Sequence, residues 1–266
     1  MEDTKNTQAL EQYAVSPENS RIRAEIWSDF VGWDNRRRGE NGFLTKQLKE
    51  GGRHKVLDIA LGDGVDTIFL LQQGYEVSSN EVDSAFRQKA IANAKEVELT
   101  IQPTAVDWRE LATAYPAGSF DAVICMGNSL TCLFGKDNQL KALEAIKAVL
   151  KPNGVLILDE RNYQRIIDNR EDALAGTLHS SGKYLYTGTD KVKARFVEVN
   201  DNIVLVEYAH RESGKKAYYK IFPFKKGELQ DLLESAGFKG IKRFSDYTEG
   251  DNPDADFFEY VCVKSK

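Results

Sequence analysis

Asp58, Gly62, Gly64 and Glu81 are the residues whose types and spacing most directly imply chemistry. In Lys55-Val-Leu-Asp-Ile-Ala-Leu-Gly-Asp-Gly-Val-Asp66 an apolar run ends in a turn carrying glycines at 62 and 64. Without a Cβ, such a turn bends sharply and brings its backbone close to a ligand. Val65 to Leu71 reads as a helix, and Tyr75-Glu-Val-Ser-Ser79 as a second strand running into Asn80-Glu81. A carboxylate at the end of the second strand of a βαβ unit can accept both hydroxyl hydrogens of a ribose. Strand, glycine turn, helix, strand and acid together describe a site for an adenosine-bearing cofactor. A glycine-rich turn that binds nothing fits the same pattern, because short glycine motifs recur widely.

The elements that must hold this turn alternate along the chain. Ile22, Ile26, Trp27 and Phe30 recur at helical spacing after a polar, mobile stretch over residues 1 to 20. A helix from Gly42 to Lys49 stops at Gly51-Gly52. After the first two strands come a helix over Ser84 to Lys95, a third strand over Glu98 to Pro103 and a fourth over Phe120 to Met126. A helix over Asn138 to Leu150, a Lys151-Pro-Asn-Gly154 turn and a fifth strand over Val155 to Asp159 continue the alternation, which implies right-handed crossovers and a parallel sheet. The pattern then changes to strands over Tyr184 to Thr187, Lys193 to Val199, Ile203 to His210 and Lys216 to Phe222, with hairpin turns at Asn200-Asp-Asn202 and Ser213-Gly214. A helix over Lys226 to Ala236 and strands over Ile241 to Tyr247 and Phe257 to Val263 close the chain. The antiparallel block leaves the carboxyl edge of the sheet, where ligands of such folds bind, and reads as a lid. An outer sheet through which a homo-oligomer assembles is the other reading, and the two are compatible.

Composition narrows the class. A length of 266 residues suits one α/β domain with an insertion. The net charge of -5 argues against a nucleic-acid footprint, leaving Arg36-Arg37-Arg38 as a local exception that a solvated loop or helix end also explains. No apolar run approaches the roughly 18 residues of a membrane span, and the N-terminus lacks a signal-peptide core. Cys125, Cys132 and Cys262 share no metal-ligand spacing and read as reduced thiols of a cytoplasmic protein. His54, His179 and His210 are scattered, so no metal site is expected.

The spacing Asp58-x-Ala60-x-Gly62-x-Gly64 resembles the first motif of the class I S-adenosylmethionine-dependent methyltransferases. A dinucleotide fingerprint fits less well, because its third small residue falls on Thr67. Later segments resemble one branch, the glycine and sarcosine N-methyltransferases. Phe120-Asp-Ala-Val-Ile-Cys-Met-Gly-Asn-Ser129 is similar to their fourth strand with its Gly-Asn-Ser ending. Leu158-Asp-Glu-Arg-Asn-Tyr163 is similar to their Asp-x-Arg-Asn-Tyr after strand five, and Asp107-Trp108 to a pair that holds adenine. The likeness covers most of the chain from about position 25 to its end.

This resemblance implies a Rossmann-like α/β fold, a seven-stranded, mostly parallel sheet with an inserted antiparallel lid. The implied division is an N-terminal arm and helix over 1–41, a core over 42–168 and 224–266, and a substrate lid over 169–223. It implies S-adenosyl-L-methionine as cofactor, S-adenosyl-L-homocysteine as product and a small amino acid, glycine or sarcosine, as acceptor, towards betaine synthesis or methyl-group balance. No metal is required, because the sulfonium is already an activated methyl donor. Trp27, Arg36, Asp58, Ala60, Gly62, Gly64, Glu81, Asp107, Trp108 and Met126 fall at cofactor positions, with Arg37 as the other candidate for the role of Arg36. Asn128 and Arg161 match the pair that holds the acceptor carboxylate, for which arginine offers a bidentate fork. Tyr186 and Tyr208 match tyrosines lining the transfer site, and Tyr184, Tyr218 and Tyr219 are further candidates for that wall. Tyrosine is also a common sheet residue, Trp27 equally suits a core, Arg161 a structural ion pair and Asn128 a turn.

The chain departs from the family pattern at four places. It carries Gly62-Asp63-Gly64 for Gly-Thr-Gly, Glu81 for Asp, Cys132 for a histidine, and Ile221 for a tyrosine before the Phe-Pro step. The last two leave open a methyltransferase of another small amine or amino acid. A protein that binds S-adenosylmethionine without turnover is the remaining alternative.

Overall fold

Val56-Leu57, Ala122 to Cys125 and Val155 to Leu158 are buried on both faces, as parallel strands flanked by helices must be. The computed structural model describes residues 2–181 and 190–265. The chain enters through α1 (Glu2–Ala14), α2 (Pro17–Phe30), α3 (Trp33–Glu40) and α4 (Phe43–Glu50). β1 (Lys55–Asp58), α5 (Val65–Gln72), β2 (Glu76–Ser79), α6 (Ser84–Glu96), α7 (Leu111–Ala114), β3 (Phe120–Cys125), α8 (Lys136–Val149) and β4 (Leu150–Arg161) follow. α9 (Tyr163–Asp168) and α10 (Arg170–Ala175) precede β5 (Val192–Val199), β6 (Val204–His210) and β7 (Lys216–Ile221). α11 (Glu228–Ser235), β8 (Phe238–Ser245) and β9 (Phe257–Lys264) end the chain.

The main sheet has the order β2-β1-β3-β4-β9-β8. Its first four strands are parallel, and β9 runs antiparallel between β4 and β8. Strand alternation divides the apolar residues. Val56, Ala122, Ile124, Val155 and Ile157 face a core shared with Ile26, Phe30, Leu44 and Leu48 of α2 and α4. Leu57, Val123, Leu156 and Leu158 face a second core with Leu143 and Ile146 of α8 and Leu229 and Leu232 of α11. The antiparallel sheet β5-β6-β7 joins the first core through Val204, Val206, Tyr208 and Ile221.

Three local expectations are corrected. Residues 2–14 and 17–20 are helical, where the sequence suggested no element. Ser16 caps α2, with Pro17 in its first turn, and buried Asn19 reaches the backbone of Ala14 and both backbone groups of Tyr218 at 2.7–2.9 Å. That amide fastens the N-terminal segment to β7. The strand expected over Glu98 to Pro103 is absent, so the main sheet has six strands among the described residues. Only a single bridge joins Thr104 to Asn80, because Pro103 has no N–H and the Asn80 side chain takes both backbone groups of Val106. The Lys151 to Gly154 turn is an irregularity inside β4, with Asn153 at φ 63°. The strand expected over Tyr184 to Thr187 lies outside the described residues.

Candidate active site

β1 to β4 are parallel, so Asp58, Ser79, Cys125 and Arg161 end at one edge of the sheet. At β1 the Asp58 carboxylate accepts from the Ala60 N–H at 3.0 Å and the Thr67 hydroxyl at 2.7 Å, clamping strand to helix. Burial pushes its pKa up to about 7, and nearby Asp66 adds to the rise. Gly64 lies at φ 96°, where a Cβ would come within 3.1 Å of Ile68 and 3.3 Å of Ala90. It lets α5 start against α6. Glu81 follows β2, and its two oxygens accept the N–H of Gly62 at 3.0 Å and of Asp83 at 2.9 Å. Burial raises this carboxyl, while the two N–H donors oppose the rise. Turn and acid are therefore one hydrogen-bonded piece.

Trp27, Arg36, Ala60, Gly62, Glu81, Trp108 and Met126 line a cavity of about 240 Å³ beside that turn. Three other residues selected from the sequence are not in its wall. Asp58 and Gly64 hold the turn from behind, and the Asp107 carboxylate is taken by Arg109 at 2.7–2.9 Å. Trp108 is fixed edge-on by its indole N–H, which donates to the Ile59 carbonyl at 2.6 Å.

Arg36 is buried rather than solvated. It donates to Glu40 at 2.9 Å and Asp66 at 2.6 Å, and Arg37 reaches the same two acids. These two arginines and two carboxylates balance in charge. The arginines hold the Asp66 carboxyl below its ordinary value despite burial, whereas burial dominates at Glu40 and raises it. Asp63, the departure within the glycine turn, is held by Trp33 at 2.9 Å and Ser28 at 3.2 Å.

A second cavity of about 490 Å³ lies between the strand edge and the antiparallel sheet. Asn128, Arg161 and Tyr208 line it, as do Tyr163 and Ile221. Tyr186 lies outside the described residues. The Arg161 guanidinium stands 5.6 Å from the Phe196 ring centre and 5.4 Å from that of Phe257, which restrict its plane. Asn128 sits in the left-handed region at φ 61°. Its amide donates to the Tyr163 hydroxyl and accepts the Arg161 N–H at 3.0 Å. The Tyr208 ring packs 4.7 Å from Phe30 and 5.5 Å from Trp27. The two cavities meet at three residues common to both walls: Trp27, Gly127 and Tyr219.

Asp159 has no role assigned from sequence. Its carboxylate accepts the N–H of Gly127 at 3.1 Å and of Asn128 at 2.6 Å, fixing the turn at the junction. Glu259 is its direct partner on β9, and burial plus the Asp159 charge raise the Glu259 carboxyl well above its ordinary range. The available signal was an acid standing after Val155-Leu-Ile-Leu158 in a central strand. Among the described residues no group of His, Cys, Asp and Glu is arranged to hold a metal ion, and no helix is long and apolar enough to cross a membrane.

Residues 56–154 match a family model described as a methyltransferase domain. A glycine/sarcosine N-methyltransferase of Aphanothece halophytica is 35% identical over 242 residues, covering 90% of this chain and 87% of that protein. One of Halorhodospira halochloris is 33% identical over 239 residues, covering 90% and 85%. The chain belongs to the glycine/sarcosine N-methyltransferase family. A solved S-adenosylmethionine-dependent methyltransferase of Clostridium acetobutylicum shares the fold, with a TM-score of 0.69 at 16% identity, over 91% of this chain and 98% of that one. The enzyme is an S-adenosylmethionine-dependent N-methyltransferase. Its smaller cavity suits the cofactor chemically. Glu81 offers acceptor lone pairs beyond the two its backbone donors use, Trp108 an aromatic face, and Arg36 a cation.

Proposed function

We propose that this enzyme methylates the amino nitrogen of glycine and sarcosine. The observation that carries the reading is Arg161, a guanidinium flanked by Phe196 and Phe257 in the wall of the larger cavity, beside Asn128. A planar fork held in this way suits a small carboxylate. The relatives, both glycine/sarcosine N-methyltransferases, favour the same acceptors.

S-adenosylmethionine supplies a methyl group on a positively charged sulfur, already activated for in-line displacement. When the cofactor is bound, Glu81 would accept from the ribose hydroxyls, Trp108 would offer its ring to adenine and Arg36 would attract the cofactor carboxylate. Met126, in the same wall, would contact the cofactor through its backbone. Asp58 and Gly64 serve the cofactor indirectly by shaping the turn, and Asp107 does so at the edge of the cavity. On the other side Arg161 and Asn128 hold the acceptor carboxylate, which leaves the amine directed at the junction. The amine reacts as its neutral form, since its lone pair makes the new bond. Trp27 and Tyr208 pack the junction. Fixing both partners in one geometry supplies most of the acceleration, and the antiparallel sheet keeps water out. The segment 169–223 thus works as a substrate lid over a core of 42–168 and 224–266, with 1–41 as a covering arm. Three free thiols suit a cytoplasmic setting.

The test is a panel of small amines and amino acids assayed with methyl-labelled cofactor. Glycine and sarcosine should be the preferred acceptors, and amines without a carboxylate should be poor ones. Preference for a carboxylate-free amine would remove the acceptor assignment. Ile221 and Cys132, both in cavity walls, are the first positions to examine in that event.

A further inference from the structure

We propose that Tyr219, held by Cys132, is the polar group that aligns amine and methyl group at the junction. Of the three residues common to both cavity walls, Gly127 has no side chain, and Trp27 offers an aromatic ring. Tyr219 alone of the three brings a hydroxyl. That hydroxyl lies within hydrogen-bond reach of the Cys132 sulfur, and Cys132 lines only the cofactor cavity. The tyrosine therefore reaches from the antiparallel sheet across the junction to the cofactor side. Its ring is also pinned, with the Arg23 guanidinium 4.6 Å from its centre and Trp27 edge-on at 6.5 Å. Tyr208, which the family likeness placed at the transfer site ahead of Tyr219, lines the acceptor cavity only.

Either atom can donate in this contact; when the phenol proton is directed at sulfur, the Tyr219 oxygen keeps two lone pairs as acceptors. One can take an N–H of the incoming amine and so turn the nitrogen lone pair toward the methyl carbon. The other faces the polarised methyl C–H groups, a weak contact that fixes a direction. In the transfer the N–C bond forms as the S–C bond breaks, the bonding pair stays on sulfur, and the methylated ammonium then gives its proton to solvent water as product leaves. Tyr219 supplies no proton and receives none. Burial keeps its phenol well above the ordinary range, so it remains neutral throughout. Cys132 fixes the direction of the phenol rather than reacting. Although Cys132 as a residue is exposed, desolvation at its sulfur raises the thiol, and the Tyr219 hydrogen bond partly lowers it again.

This inference rests on methyl transfer and not on which acceptor is used. The experiment compares wild type with Tyr219→Phe, Cys132→Ala, Cys132→Ser and the double variant Cys132→Ala/Tyr219→Phe, on whichever panel acceptor the wild type methylates best. Tyr219→Phe should lower kcat by about tenfold, the worth of one hydrogen bond made at the transfer geometry. S-adenosylhomocysteine affinity by calorimetry should hold within about twofold, since the product site keeps its ribose and adenine contacts. Cys132→Ala should lower kcat less, Cys132→Ser less still, and the double variant should match Tyr219→Phe. A second readout needs no turnover. The pH profile of Cys132 alkylation should shift upward in Tyr219→Phe, because the thiolate loses its donor. A wild-type kcat in Tyr219→Phe, strict additivity in the double variant, or an unmoved alkylation profile would overturn the proposal. A parallel loss of product affinity would also overturn it, by marking Tyr219 as structural. Should Tyr219→Phe not fold, the Cys132 pair decides, and equal kcat in Cys132→Ala and wild type rejects the idea. Failure of glycine and sarcosine as acceptors would remove the substrate assignment alone.

Discussion

The cofactor side and the acceptor side of this site are built by different rules. On the cofactor side a turn, an acid and an indole come from residues 58–66, 81 and 108, bound to each other mainly through backbone groups. On the acceptor side Arg161, Asn128, Tyr208 and Tyr219 come from the ends of two parallel strands and from two strands of a separate sheet. The turn and acid of the first are a local construction within one βαβ unit, to which Trp108 is joined by a single backbone contact. The second exists only after the antiparallel sheet has packed against the main one. Cofactor binding should therefore survive changes that abolish acceptor binding, and the reverse should also hold.

The largest effect should come from the frame that serves both sides. Glu160 is 5% exposed, it accepts from the Tyr260 hydroxyl at 2.6 Å, and its second oxygen is buried without a partner. Burial pushes this carboxyl up to about 8 from 4.5. Across that interval the folded protein binds the extra proton. Glu160 therefore favours folding below about pH 4.5, and this advantage is lost as pH rises through 8, at up to about 1.4 kcal/mol per pH unit. Glu160→Gln should remove this slope. The change is clearest between pH 7 and 8, above the value of about 7 for Asp58. Denaturant melts at several pH values measure it, and an unchanged slope would show that Glu160 is ionised in the fold.

Arg161→Ala should act on one side only. Loss of a charge-assisted contact costs about 1.5–3 kcal/mol, so kcat/KM toward glycine or sarcosine should fall by roughly tenfold or more. Product affinity should barely move, and lysine should rescue poorly because a point charge cannot replace the fork. Full activity in Arg161→Ala would dissolve the division between the two sides. Glu81→Ala is the mirror test. It should weaken S-adenosylhomocysteine by about 1–3 kcal/mol by leaving ribose hydroxyls unpaired, with acceptor KM steady at saturating cofactor. The smallest effect should be Trp108→Ala, about 0.5–1.5 kcal/mol for a lost aromatic contact, read by the same calorimetry.

The division also explains which residues were legible. Glu81 and Gly62 declared themselves through spacing, because their hydrogen bond spans only a strand, a turn and a helix. Arg161 and Asn128 needed family likeness, since nothing local distinguishes a carboxylate clamp from an ion pair or a turn. Asp159 was passed over because its partners, Gly127 and Asn128, lie a whole helix away in sequence. Composition alone left Arg36 as part of a solvated run and the family likeness put it at the cofactor; Asp66 and Glu40 bury it beside that cavity. The expected third strand failed for a more local reason, the proline at 103 and the competing side chain of Asn80.

By itself the sequence determined most of the order of strands and helices, the strand over Glu98 to Pro103 and the first helix excepted, together with the glycine turn with its acid, and the family. Each depends on hydrophobic period and short-range spacing, which the chain carries directly. Tertiary structure alone decided that Asp58 and Gly64 stand behind the turn rather than in the cavity. It also placed Asp159 under the Gly127–Asn128 turn and brought Tyr219 to Cys132 where the two cavities join. Those outcomes depend on how two sheets pack, and close packing of side chains distant in sequence leaves no periodic mark along the chain.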